Sequence, residues 1–264
     1  MAEAAGKGQQ GWTLITGASE GLGREFALLA AAEGRDLILA ARQAEKLEIL
    51  ADTLRVQHKI AVEVIPTDLS DAAAVEALWR RASTRRRVDI LVNNAGLGYN
   101  GPFLGSDFSR ELSSINVNVT ALTILMKRAV PHMKAAGGGK IMNVSSVAAF
   151  MPGPNMAVYH ATKAYVLSLT EAVAEELRGG NVTVTALCPG PAATNFAKDA
   201  GMEGIRLLTS GPIPSAKSVA KAGWRAMKKG KRIRVTGLMN KLFAQGPRFA
   251  PRSLVARMVG LFLK

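Results

Sequence analysis

Short apolar runs alternate with longer amphipathic ones along most of the chain. Residues 12–16, 36–41, 60–66 and 89–93 read as strands. They are apolar nearly throughout, as burial on both faces of a sheet requires. Residues 21–33, 43–57 and 71–86 repeat their apolar positions at helical spacing. The rhythm continues with a long helix around 107–136, a strand at 140–145, a helix at 156–178 and a strand at 181–188. Gly137, Gly138 and Gly139 separate the long helix from its strand. After Pro189, Gly190 and Pro191 the regularity lapses until Ser215, in a stretch that reads as a mobile loop near a site. A helix at 215–229 and a strand at 232–235 complete the pattern. Strict alternation with short links demands right-handed crossovers. The predicted fold class is therefore α/β: a doubly wound parallel sheet of about seven strands, with helices on both faces, in a single domain.

At 264 residues and 48% apolar content the chain can bury a sizeable core without disulfides or metals. Its one cysteine, Cys188, excludes a disulfide framework and a Cys-rich zinc site, and reads as core packing. His58 and His132 have no partner at ligand spacing, so no metal is expected. Trp12, Trp79 and Trp224 read as packing. No apolar run approaches the roughly 18 residues of a membrane span. The opening MAEAAGKGQQ lacks the apolar core of a secretory signal, so a cytoplasmic location is expected. Residues 1–10 are expected to be a flexible N-terminus, 11–240 the main domain, and 241–264 an extension packed on it.

The net charge of +14 is unevenly placed. Residues 204–264 hold 14 of the 34 basic side chains and no acid, whereas 1–203 balance at 20 of each sign. Such a segment suits an anionic partner, and it equally suits a solvated basic face. Nucleic acid is not expected as the main partner, since aromatic content is only 5% and no nucleic-acid motif is present.

Thr16, Gly17, Ala18, Ser19, Glu20, Gly21, Leu22 and Gly23 join the first strand to the first helix. A helix N-terminus offers unpaired N–H groups, and glycine lets a pyrophosphate approach the backbone. The second strand ends at Ala41, where a carboxylate would select the 2′-hydroxyl of NAD, and Arg42 follows. A guanidinium there pairs with a 2′-phosphate, which predicts NADP(H) over NAD(H). Glu20 argues the other way if it points inward. Farther on, Tyr159 and Lys163 stand four apart on one helix face, and Ser146 ends a strand 13 residues before Tyr159. A nearby ammonium lowers a phenol's pKa, and a hydroxyl can polarise a carbonyl.

With these motifs in order, together with Asp68-Leu69, Asn94-Ala95-Gly96 and Pro189-Gly190 with Thr194, the chain resembles the short-chain dehydrogenase/reductase family over about residues 12–240. The resemblance implies a Rossmann-type sheet and a proton-carrying Tyr159. It implies that Lys163 binds the nicotinamide ribose and lowers the Tyr159 pKa, and that Ser146 polarises the carbonyl. Asn118, preferred over Asn116, would hold a water in the proton relay. Gly17, Ser19, Glu20, Gly21, Leu22, Gly23 and Arg42 would take the pyrophosphate and adenosine side. Asp68 and Leu69 would flank the adenine, and Asn94, Ala95 and Gly96 would line the cleft. Pro189, Gly190 and Thr194 would hold the nicotinamide end.

The expected activity is NADP(H)-dependent hydride transfer with a hydrophobic carbonyl compound such as a ketosteroid or 3-oxoacyl substrate. Phe103, Phe150, Met151, Phe196, Leu207 and Leu208 make the loops around the site apolar. The alternatives are a non-catalytic nucleotide sensor and a lipid-surface binding protein. A homodimer or homotetramer is expected. His160 reads as incidental. After Pro251, Leu254, Val255, Met258, Leu261 and Phe262 form a helical apolar stripe beside Arg252, Arg257 and Lys264. That stripe is expected to pack on the protein or a subunit rather than to make a peripheral contact with an anionic membrane.

Overall fold

A computed structural model describes residues 11–202 and 213–263. Expectations resting on residues 1–10, Glu203, Leu207, Leu208 and Lys264 lie outside the described residues. The strands are β1 (Trp12–Thr16), β2 (Leu37–Ala41), β3 (Val62–Pro66), β4 (Val88–Asn93), β5 (Gly139–Val144), β6 (Val182–Cys188) and β7 (Ile233–Val235). They form one seven-stranded sheet in the order β3-β2-β1-β4-β5-β6-β7. Every neighbouring pair is parallel.

Successive strand residues point to opposite faces, which explains why the strands are apolar throughout. Ile15, Leu39 and Val92 meet Phe26, Leu47 and Trp224 on one side. Leu14, Ile38 and Leu91 meet Trp79, Leu125 and Val166 on the other. The first face is covered by α1 (Gly21–Ala32), α2 (Ala44–His58) and α8 (Ala216–Lys228). The second is covered by α3 (Ala72–Ser83), α5 (Leu122–Ala135) and α6 (Ala157–Glu176). Cys188 and the three tryptophans lie in or against these cores. At the amino end of the sheet, Arg35 is buried. It pairs with Asp89 and donates to Thr13 Oγ1 at 2.7 Å and to the Gly11 carbonyl at 2.8 Å.

The expected long helix at 107–136 is not continuous α-helix. It is α4 (Phe108–Ile115), a π-helical turn (Asn116–Ala121) and then α5. The chain closes with the short α7 (Phe196–Asp199), α9 (Leu238–Gln245) and α10 (Arg252–Phe262). The boundary expected at 240/241 falls inside α9. The tail stripe also differs from expectation. Val255, Val259 and Leu263 face the protein, while Leu254, Met258, Leu261 and Phe262 face outward.

Candidate active site

In a parallel doubly wound sheet, ligands lie beyond the carboxyl ends of the strands, where the strand order reverses. Here that reversal falls between β1 and β4. The predicted residues follow strand ends one after another: the glycine turn after β1, Arg42 after β2, Asp68 after β3, Asn94 to Gly96 after β4, Ser146 after β5, and Pro189, Gly190 and Thr194 after β6. The topology thus brings them to one rim of the sheet.

The β1–α1 turn is tight. Gly17 and Gly21 have φ of +63° and +56°, a conformation that favours glycine. A Cβ on Gly23 would lie 2.0 Å from the Gly17 carbonyl oxygen, so α1 starts against the end of β1 only because position 23 has no side chain. Asn94 ties β4 to the same turn, its Nδ2 donating to the carbonyls of Thr16 at 3.0 Å and Gly17 at 3.1 Å. Thr16 Oγ1 accepts from the backbone of Asn94 and Ala95 at 3.0 and 3.1 Å. Glu20 accepts from Lys46 at 3.3 Å and from Asn195 at 2.9 Å, so its charge is partly compensated. Arg42 is exposed and makes no ion pair among the described residues. Asp68 is also exposed. The backbone N–H and hydroxyl of Ser70 hold its carboxyl below the usual range, with a smaller contribution from Arg42. The Leu69 side chain is buried in the core beside it.

Across the rim, α6 presents Tyr159 and Lys163. Lys163 is buried, donates Nζ to the Val144 carbonyl at 2.9 Å and sits 5.7 Å from the centre of the Tyr159 ring. A Cβ on Gly96 would fall 3.1 Å from that Nζ and 3.3 Å from Asn118 Oδ1, so glycine here lets the end of β4 close on both. Asn118 lies in the π turn, a feature that often marks functional sites. It exchanges hydrogen bonds with the Leu97 backbone at 2.8 and 2.9 Å and donates to Thr162 Oγ1 at 2.9 Å. Ser146 Oγ accepts from Ala148 N at 3.1 Å. Thr194 lies against Gly21, and Asn240 of α9 packs so closely on Gly190 that a Cβ there would meet it at 2.4 Å.

Burial pushes the Tyr159 phenol up to about 12, partly offset by a hydrogen bond with Ser146. Burial also lowers the Lys163 ammonium to about 8. The direction of the Tyr159 shift is thus set by burial, against the lowering expected from a neighbouring Lys163. His160 is not incidental. It is buried, its Nδ1 lies 2.8 Å from the Met151 carbonyl, and its ring fills the space beside Gly153, so it holds the loop ahead of α6. Thr162 and Asn240 carry no signal in the sequence, because their contacts, with Asn118 and Gly190, join positions far apart in the chain. Beside Tyr159 lies an apolar cluster of Met156, Phe196, Ala200, Met202 and Leu263. The Phe196 ring centre is 5.3 Å from that of Tyr159.

The short chain dehydrogenase family profile matches residues 11–203. The human inactive hydroxysteroid dehydrogenase-like protein 1 is 30% identical over 187 residues, which is 70% of this chain but 57% of that protein. The chain thus spans under two thirds of that relative's length. Among solved structures, a short-chain dehydrogenase from Sphingobium yanoikuyae in complex with NADPH superposes with a TM-score of 0.83 at 31% identity, covering 93% of this chain and 95% of that one. A short chain dehydrogenase/reductase from Burkholderia phymatum in complex with NAD gives a TM-score of 0.80 at 29% identity, over 90% and 92%.

The buried ammonium has a consequence for stability. Lys163 titrates near 8 when folded against an ordinary value of 10.5, so between these pH values the unfolded chain binds the extra proton. Stability from this group therefore rises with pH across that window. Lys163→Met removes the dependence. The stability of the native protein relative to the variant should be flat below pH 7 and climb by up to about 1.4 kcal/mol per pH unit between about pH 8 and 10. Urea unfolding of both proteins at each pH checks this, and a flat difference throughout would refute the buried charge.

Proposed function

The chain belongs to the short-chain dehydrogenase/reductase family, and from that premise we propose that it is a nicotinamide-dependent oxidoreductase that prefers NADP(H) and reduces a hydrophobic ketone. One observation carries the reading: Ser146, Tyr159 and Lys163 meet at the same rim as a glycine turn with no room for side chains. That turn fits a dinucleotide, since its Cβ-free positions leave backbone N–H groups accessible at the start of α1. Residues 17–23 would hold the pyrophosphate and Arg42 a 2′-phosphate. Asp68 and Leu69 would border the adenine. Asn94, Ala95 and Gly96 would line the cleft, Lys163 would hold the nicotinamide ribose, and Pro189, Gly190 and Thr194 the nicotinamide end. When bound, the cofactor supplies the hydride.

The chain's own residues supply the proton and the positioning. Ser146 Oγ and the Tyr159 hydroxyl are close enough to grip one carbonyl oxygen together. Tyr159 then donates its proton to that oxygen as negative charge develops there. A phenol held up to about 12 is fully protonated at neutral pH, which suits it to act as the acid in reduction. Lys163 keeps a positive charge behind the phenol, and Asn118 with Thr162 fixes the backbone at Leu97 that closes the cleft. The apolar cluster around Met156 and Phe196 supports a hydrophobic substrate, such as a ketosteroid or 3-oxoacyl compound. The exposed side chains of Phe103, Leu104 and Phe108 support self-association, as a homodimer or homotetramer.

A second reading is nucleotide binding without turnover. The name of the human relative favours it, as does the engagement of Lys163 Nζ by Val144. Retention of Asn118, Ser146, Tyr159 and Lys163 together favours the enzyme.

Two variants test the proposal. Tyr159→Phe keeps the ring and removes the proton. With NADPH and a panel of ketones, ketosteroids and 3-oxoacyl thioesters, turnover should fall by roughly 100- to 10,000-fold while NADPH binding persists. Retained turnover would refute the acid assignment. Arg42→Ala should cost NADPH about 1.5–3 kcal/mol of binding and leave NADH nearly unchanged. Equal affinity of the unmutated protein for both cofactors in a fluorescence titration would refute the NADP(H) preference.

A further inference from the structure

We propose that the outward apolar face of the C-terminal helix α10 docks on an anionic lipid bilayer. The inference deepens the reading of a hydrophobic substrate, because it names the phase from which that substrate is taken.

Helix α10 is apolar on two sides. Its inner row packs on the protein, with Val255 8% and Leu263 3% exposed. Its outer row does not, with Leu254, Met258 and Leu261 48%, 51% and 59% exposed. A helix face that carries three large apolar side chains about half exposed marks a surface that something covers.

Charge identifies the cover. Arg252 and Arg257 stand on the same helix as this row, and neither makes an ion pair among the described residues. Residues 204–264 contain no acid at all. A second copy meeting this face symmetrically would set these cations against themselves, at a cost. An anionic lipid surface is complementary, and it combines the two signals, apolar insertion and basic attraction, that stable peripheral binding needs. Among the described residues no helix is long and apolar enough to cross a membrane, so the contact is along the surface.

The site lies just behind this face. Leu263 belongs to the cluster that packs on Tyr159 and Phe196. A cavity of about 400 Å³, lined by Pro154, Ala256, Arg257, Gly260 and Leu261, opens between α10 and the loop ahead of α6. A bilayer under α10 would be separated from the reacting hydroxyl by one helix and its packing.

The test is co-sedimentation of the full-length protein with vesicles of phosphatidylcholine alone, or with about one third phosphatidylserine. Binding is expected only to the serine-containing vesicles, with release at about 1 M salt, where the screening length is about 3 Å. Leu254→Gln with Leu261→Gln should weaken binding at least tenfold. Arg252→Gln with Arg257→Gln should weaken it about 25-fold, roughly fivefold per charge. Both pairs should leave the melting temperature unchanged. No binding, equal binding to neutral vesicles, or leucine variants that lower the mass of the assembly without losing vesicles would overturn the inference, the last in favour of a second copy. Sedimentation does not depend on turnover. A protein that reduces ketones but ignores vesicles sinks only this inference, and the reverse result sinks only the oxidoreductase reading.

Discussion

The missing side chain at Gly23 governs the geometry of the site. Because a Cβ there would stand 2.0 Å from the Gly17 carbonyl, helix α1 can begin directly above the end of β1. Asn94 and Thr16 then fasten the neighbouring β4 to the same turn through short hydrogen bonds. The strand order reverses at this seam, which is where ligands lie in sheets of this kind. Gly96 repeats the device one strand away, where its bare Cα admits Lys163 and Asn118.

The reacting end is built on the opposite principle, burial of polar groups. Lys163 and Asn118 are almost wholly enclosed, and each of their contacts is to the ends of strands or to α6. Removing an ammonium from water lowers its pKa, and removing a phenol from water raises it. The result is a protonated tyrosine beside a lysine held near the physiological range, a pairing that trades stability for a poised proton.

Much of this was legible in the sequence because parallel strands buried on both faces must be apolar throughout, and the turns between them carry glycine where the backbone demands it. The strands, their parallel sheet and the glycine turn follow from those constraints, whereas the order of the strands comes from the structure. The π turn was not legible. Its residues, Asn116 to Ala121, are mostly poor helix formers, but nothing in their spacing marks a wider turn, and it is the structure that shows it, with Asn118 in buried contact with Leu97 and Thr162. His160 was misread because a helical wheel separates it from Tyr159 but cannot show the Met151 carbonyl waiting on its other side. In α10 the helical spacing predicts a packed stripe of Leu254, Val255, Met258, Leu261 and Phe262, yet of these only Val255 is buried, in a row with Val259 and Leu263. Periodicity finds apolar rows, and tertiary packing decides which one is covered.

The central claim is that the glycine turn and the Tyr159 constellation form one composite site that reduces a carbonyl. It is tested most directly by following deuterium. The unmutated protein is incubated with NADPH deuterated on the transferable position of the nicotinamide, together with the same panel of hydrophobic ketones, and the products are read by mass spectrometry. The account predicts an alcohol carrying one deuterium on the former carbonyl carbon. Saturable NADPH binding with no deuterated product from any ketone would contradict it and leave a nucleotide-binding protein without turnover.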